Sequence, residues 1–189
     1  KGRAGRSGGR RPILLECVSD SLICVGVDIR REKITVLATD MSLRILGSRS
    51  RRIPEGVSAE QGLAVLFECI DEVIAPLPFE DIIGIGIGTI GPVDIKSGSV
   101  VTCIPIPWVG FSLRDVVSER YHGIPVYVDV GSNMAAYGEV STDLSLAAKT
   151  VTYITLGSGI GAGIVLSGTL YQADLVKGFG HMSIDYRGP

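Results

Sequence analysis

The stretch Leu156-Gly157-Ser158-Gly159-Ile160-Gly161-Ala162-Gly163-Ile164-Val165 sets a glycine-rich turn between two apolar runs. Gly157, Gly159 and Gly161 fall within five residues, with the Ser158 hydroxyl among them. Residues without side chains let backbone N–H groups come close to a phosphate. Glycines between two strands also make a tight hairpin that binds nothing, and that is their commoner use. The flanks favour strands. Thr150 to Leu156 and Ile164 to Leu166 read as buried strands, and Ser167-Gly168-Thr169-Leu170-Tyr171 continues as a turn and a further strand.

Working outward, Leu22 to Asp28, Lys33 to Thr39 and Leu43 to Ser50 read as three short strands joined by polar turns, an antiparallel meander. Ser58 with Gln61 three residues on makes a capping box. Behind it Leu63, Leu66, Phe67, Ile70, Val73 and Ile74 recur at helical spacing up to Pro76. Asp81 to Ile87 is apolar on both faces, as a central strand is. A second helix from Ser112 turns Leu113, Val116 and Val117 inward and ends at His122-Gly123. Val126 to Asp129 is a buried strand and Ser132 to Val140 a short helix, with Asn133 as a cap residue at its start. The opening pattern begins again near residue 150. The expected architecture is therefore α/β with two related lobes, the second cut short.

Composition excludes several classes. The 189 residues are 46% hydrophobic and 20% charged, enough for a sizeable core. No run of 18 apolar residues predicts a membrane helix. Cys17, Cys24, Cys69 and Cys103 are far apart, which reads as reduced thiols in apolar space and a cytoplasmic setting. The net charge of −2 hides five positive charges before the first acid, Glu16, against 13 basic and 20 acidic residues afterwards. An acidic body is a poor nucleic-acid surface. The basic head, with no aromatic residue, reads as a solvated linker.

Four segments in order resemble the ROK family of sugar kinases and sugar-responsive repressors. They are the glycine tract at 157–163, Gly91-Pro92-Val93-Asp94, Asn133-Met134-Ala135-Ala136, and Gly180-His181. The resemblance covers nearly the whole chain from about Gly8. It implies an actin-like ATPase (ribonuclease H-like) fold, with a basic linker at 1–12, a first lobe at 13–128 and the start of a second lobe at 129–189. The rest of that lobe is expected to lie beyond Pro189.

The chain departs from the kinase members of the family where the chemistry sits. Their catalytic aspartate, in a segment Glu-Asn-Asp-Ala-Asn-Ala-Ala, is matched by Gly131, and the preceding sugar-binding asparagine by Val130. Glycine accepts no proton, and general-base catalysis contributes about 10²–10⁴-fold. Asp129, two residues back, is a poor substitute. The first phosphate turn, Asp-Ile-Gly-Gly-Thr-Lys in kinases, reads Asp28-Ile29-Arg30-Arg31-Glu32-Lys33 here, with arginines where close backbone approach needs glycine. The sugar-binding glutamate of Glu-x-Gly-His is matched by Gly178, while His181 remains. In relatives that histidine faces the sugar and ligates zinc beside cysteines of a segment this chain lacks, so zinc belongs to the complete protein and no cofactor to this chain.

The residues marked for function are thus Asp28, Gly157, Ser158, Gly159 and Gly161 as a vestigial phosphate site. His181 and Trp108, the latter in a loop that reaches toward the sugar in the family, are marked as effector contacts. Trp108 reads equally well as packing. The function implied is the sugar-sensing body of a ROK transcriptional regulator, not an enzyme. It would form a homo-oligomer and bind DNA only through a winged helix absent from this chain. The alternative is an ATP-dependent ROK sugar kinase.

Overall fold

The computed structural model describes residues 18, 20–157, 159–172, 180, 182, 183 and 185. The opening meander is β1 (Ile23–Ile29), β2 (Lys33–Asp40) and β3 (Ile45–Arg52), all antiparallel. Helix α1 (Ala59–Ile74) then leads through a short turn to β4 (Ile82–Thr89), which pairs parallel to β1. A small antiparallel sheet follows: β5 (Val93–Asp94), β6 (Ser99–Cys103) and β7 (Trp108–Phe111). Helix α2 (Leu113–Arg120) brings the chain to β8 (Val126–Val130), parallel to β4. The main sheet thus has the order β3-β2-β1-β4-β8. Helix α3 (Gly131–Thr142) leads to a second meander, β9 (Thr150–Leu156), β10 (Ile160–Leu166) and β11 (Thr169–Leu170).

The period-2 pattern decides which face of the main sheet is buried. Val25, Val27, Ile34, Val36, Ile85 and Ile87 point to one side, where Leu66, Ile70 and Val73 of α1 and Leu113 and Val117 of α2 cover them. The capping box at the start of α1 is formed in full. Gln61 N donates to Ser58 Oγ at 3.2 Å and Ser58 N donates to Gln61 Oε1 at 2.9 Å. Helix α2 unwinds through His122 and Gly123, both at positive φ, with Gly123 N donating to Ser118 O at 2.8 Å. That glycine at a positive-φ helix end is a common stop signal.

The opposite face carries Cys24, Gly26 and Asp28 of β1, in register with Gly84, Gly86 and Gly88 of β4. Here α3 crosses the sheet. A β-carbon at Gly88 would lie 3.1 Å from Gly131 Cα, and one at Gly86 3.7 Å from Met134 Cε. The two glycines let the helix sit down on the strand. The other side of α3 packs Ala136 and Val140 against Val165, Val151 and Tyr153 of the second meander.

Three features add to or correct the sequence pattern. The sequence pattern assigns no element to 93–111, which forms β5 to β7; a tight turn with Gly98 at φ +68 and Lys96 N donating to Asp94 Oδ1 reverses β5 into β6. Helix α3 starts at Gly131, with Val130 as a cap that makes no side-chain bond. Asn133 is therefore inside the first turn rather than at the cap, and its side chain is used differently, as described below. Asp129 lies on β8, which ends at Val130, while Gly131 already belongs to α3.

Candidate functional site

The C-terminal ends of parallel strands are where open α/β sheets place ligands. In this chain those ends are Asp28 on β1, Thr89 on β4 and Val130 on β8, with α3 starting directly beyond. Asp28, Gly88 and Asp129 stand side by side in register across the three strands. Their environments differ sharply.

Asp28 is half-exposed, and its Oδ2 accepts from Arg30 Nε at 2.6 Å. The guanidinium folds back from the turn onto the carboxylate two residues before it. A charge-assisted bond of this length holds the aspartate toward its own turn. Asp129 is 6% exposed. Its Oδ1 accepts from Val130 N at 2.6 Å and from Asn133 Nδ2 at 2.8 Å. This carboxylate bridges the end of β8 to the first turn of α3, and Asn133, also 6% exposed, is its partner. The bridge was not legible from residue order, because asparagine at a helix start reads first as a cap.

Gly131 lies between these groups. A β-carbon there would be 3.7 Å from Asp28 Oδ1 and 3.7 Å from the Thr89 carbonyl oxygen, ordinary contact distances. A β-carbon would fit, and the position faces two hydrogen-bond acceptors. Such a position suits a hydroxyl donor. Asp28 already holds a guanidinium, and Arg30 and Arg31 stand in the turn beside it.

The glycine tract joins the site through Ser132. Its Oγ donates to Ala162 O at 3.1 Å, and a β-carbon on Gly161 would lie 3.6 Å from that hydroxyl. Gly163 packs so tightly that a β-carbon would overlap the Ser132 carbonyl oxygen. Among the described residues nothing crowds a β-carbon at Gly157 or Gly159, and Gly157 N donates to Gly159 O at 3.0 Å across the turn. Gly161 and Gly163 are therefore set by helix packing, Gly157 and Gly159 by the turn. Gly91 of the Gly-Pro-Val-Asp loop is likewise structural: it sits at φ +93, where a β-carbon would overlap the Thr102 carbonyl oxygen.

Trp108 is 1% exposed, in the core. Its Nε1 donates to Ala59 O at 3.2 Å, and its ring stacks on Phe111 with centroids 5.2 Å apart. The ring offers no face to a ligand. Ser158, Gly178 and His181, like the linker at 1–12, lie outside the described residues. Among the described residues no group of three His, Cys, Asp or Glu side chains is placed to hold a metal. Burial raises the thiols of Cys24, Cys69 and Cys103 above their ordinary value, so they are neutral fillers. No described helix is long and apolar enough to cross a membrane.

Comparison with known proteins places this geometry. The chain is 35% identical to a putative xylose repressor of Caldicellulosiruptor sp. (strain Rt8B.4) over 98% of its own length and 47% of that protein. It is 31% identical to the xylose repressor of Bacillus subtilis (strain 168) over 100% of its length and 49% of that protein. The chain thus spans about half the length of these curated relatives. Among solved structures, a ROK family glucokinase from Streptomyces griseus in complex with glucose and AMPPNP superposes with a TM-score of 0.75 at 30% identity, covering 86% of this chain and 51% of that one. The model of the ROK family matches residues 24–189. With its mixed α/β sheet and its site at the strand ends, the chain has the actin-like ATPase fold and belongs to the ROK family.

Proposed function

We propose that this chain is the sugar-sensing body of a ROK-family transcriptional regulator and does not phosphorylate sugar. The observation that carries the reading is Gly131. It stands where kinases of the family carry their base, beside an Asp28 whose carboxylate is bonded to Arg30. Two curated relatives matched over nearly all of this chain are named xylose repressors, which makes xylose the first effector to test.

In this reading a sugar hydroxyl donates into the space above Gly131, toward Asp28 Oδ1 and the Thr89 carbonyl. Helix α3 carries that event to the second meander, because its first turn touches Gly88 on one side and Gly163 on the other. In the full-length protein the shift reaches a DNA-reading winged helix ahead of this chain and changes the spacing of two such heads in a homo-oligomer. His181 would ligate zinc only together with a cysteine segment of the complete protein. The alternative reading is a sugar kinase, favoured by the 30% identity to the Streptomyces griseus glucokinase.

The test uses the full-length protein. A DNA duplex is selected from a random pool, and its affinity is measured with and without xylose. Sugar-dependent loss of binding by about 5–150-fold, the usual range of allosteric coupling, is the expected result. Sugar-dependent turnover of Mg-ATP would overturn the reading in favour of the kinase.

A further inference from the structure

The turn between β2 and β3 reads Asp40-Met41-Ser42-Leu43-Arg44, and Ile45 opens β3. Turns favour glycine, asparagine, aspartate and serine, so apolar side chains at this tip are out of pattern. Met41, Leu43 and Ile45 are 45%, 58% and 63% exposed. Leu43 adopts φ +64, in the left-handed region that favours glycine and strains a bulky residue. The turn is nonetheless firmly held. Buried Asp40 accepts through Oδ1 from Ser42 N at 2.9 Å and Arg44 N at 3.0 Å, and through Oδ2 from Arg44 Nε at 3.1 Å. Leu43 N adds a bond to Asp40 O at 3.0 Å.

A strained backbone that holds an apolar side chain in water costs stability, and such strain is kept where it serves a site. A single exposed apolar residue is ordinary, whereas three within five residues on a fixed turn mark an interaction surface. The place of the turn in the fold narrows the partner. Ile23, the first residue of β1, pairs directly with Asp40, so the chain enters the main sheet beside this turn. From there β1 and β2 run to Asp28 and Thr35, register partners at the candidate site. Five residues of strand separate Ile23 from Asp28, about 17 Å. The turn is therefore outside the effector space and joined to it by two paired strands.

We infer that the Met41–Leu43–Ile45 turn is the seat of the DNA-reading head on the sugar-sensing body, and that the head sets apolar side chains against it. The inference rests on the regulator reading above, which puts that head ahead of this chain, and adds where the two domains touch. The expected linker ends at residue 12, eleven residues before Ile23, a reach of at most about 40 Å. A tether that short keeps the head at millimolar effective concentration beside the turn, so a small apolar contact suffices. Strands β1 and β2 then have the effector at one end and the head at the other, and they carry a displacement at Asp28 to the turn.

A photo-crosslinking amino acid in place of Ser42, at the tip of the turn, tests the inference in the full-length protein. On illumination the expected product is an intramolecular crosslink to residues ahead of Lys1, mapped by mass spectrometry. Crosslinks to the body of a second copy, crosslinks to residues beyond Pro189, or no crosslink overturn the inference. The companion variant carries Met41→Ser, Leu43→Asn and Ile45→Thr, because asparagine tolerates positive φ and threonine suits a strand. In this chain the variant should keep the parent's thermal midpoint or raise it, since only exposed side chains change. A lowered midpoint would make the three residues part of the body's own packing and overturn the inference. In the full-length protein the variant should leave xylose affinity unchanged and shrink the xylose-dependent loss of DNA affinity at least threefold. An undiminished loss overturns the inference too. Sugar-dependent release of DNA with crosslinks elsewhere would leave the regulator reading intact, whereas turnover of Mg-ATP would sink that reading whatever the turn touches.

Discussion

Gly163 of β10 lies so close against Ser132 of α3 that a β-carbon on the glycine would overlap the serine's carbonyl oxygen. The neighbouring bond, Ser132 Oγ to Ala162 O at 3.1 Å, holds the same contact from the other direction. The glycine tract is thus a packing surface as much as a turn. Gly163→Ala is expected to lower stability by about 1–3 kcal/mol, the cost of overpacking a fitted contact. Gly157→Ala and Gly159→Ala, which nothing among the described residues crowds, should stay within about 0.5 kcal/mol of the parent. Urea unfolding of the three variants separates the two kinds of glycine. Equal losses at all three would show that the helix contact is not what requires Gly163.

The one tryptophan offers a probe of the effector question. Trp108 is buried, hydrogen-bonded to Ala59 O and stacked on Phe111. Its emission should be blue-shifted, resistant to acrylamide quenching, and unchanged when sugar is added. Trp108→Ala should cost about 3–5 kcal/mol, as expected for a large buried aromatic. Quenching of the native emission by a saturating sugar would place the ring at the ligand after all.

The parts of this fold that were legible in the sequence are those specified by near neighbours. Alternation marks β1 and β2, Ser58 and Gln61 mark the start of α1, and an unbroken apolar run marks β4. Each depends on residues within a turn or a strand of one another. What was not legible depends on contacts between distant segments. Ser132 and Gly163 meet only after α3 and β10 have packed. Lys33 and Arg52 become a pair only once the β2–β3 register is set. Asn133 looks like a cap until Asp129, four residues earlier, is seen to hold its amide. Trp108 carried two readings because its loop is apolar either way, and only the burial of its ring at the start of α1 separates them.

The α1–α2 contact makes stability depend on alkaline pH. Tyr121 is 3% exposed and its hydroxyl donates to Asp71 Oδ1 at 2.8 Å, while Arg120 reaches Asp71 Oδ2 at 3.0 Å. Burial first, then the bond to Asp71 and its charge, push the phenol well above its ordinary value, with Arg120 opposing. In the unfolded chain the phenol ionises near pH ~10. The stabilisation is therefore complete below that pH and is lost as pH rises from there toward the folded-state value. Tyr121→Phe should cost about 1.5–3 kcal/mol at pH 8, the range for a hydrogen bond to a charged group, and should flatten the decline above pH ~10. Urea unfolding across pH 8–11 reads both effects. An unchanged slope in the variant would show that Tyr121 is not the titrating group.

The decisive prediction concerns Gly131. A β-carbon there meets nothing closer than 3.7 Å, so a side chain can leave the backbone without a clash. Gly131→Asp should fold, with its new carboxylate set toward that of Asp28. Yet Arg30 remains bonded to Asp28 and Arg31 remains in the turn, so the phosphates of Mg-ATP still lack a cradle. Neither the native chain nor Gly131→Asp is therefore expected to release ADP with hexoses, pentoses or amino sugars in a coupled assay. A base alone contributes about 10²–10⁴-fold, so the assay must resolve rates at least that far below an ordinary kinase. Turnover by the native chain would sink the regulator reading. Turnover by Gly131→Asp only would show that the Arg30–Asp28 pair is no obstacle to nucleotide, and that loss of the base by itself separates this chain from its kinase relatives.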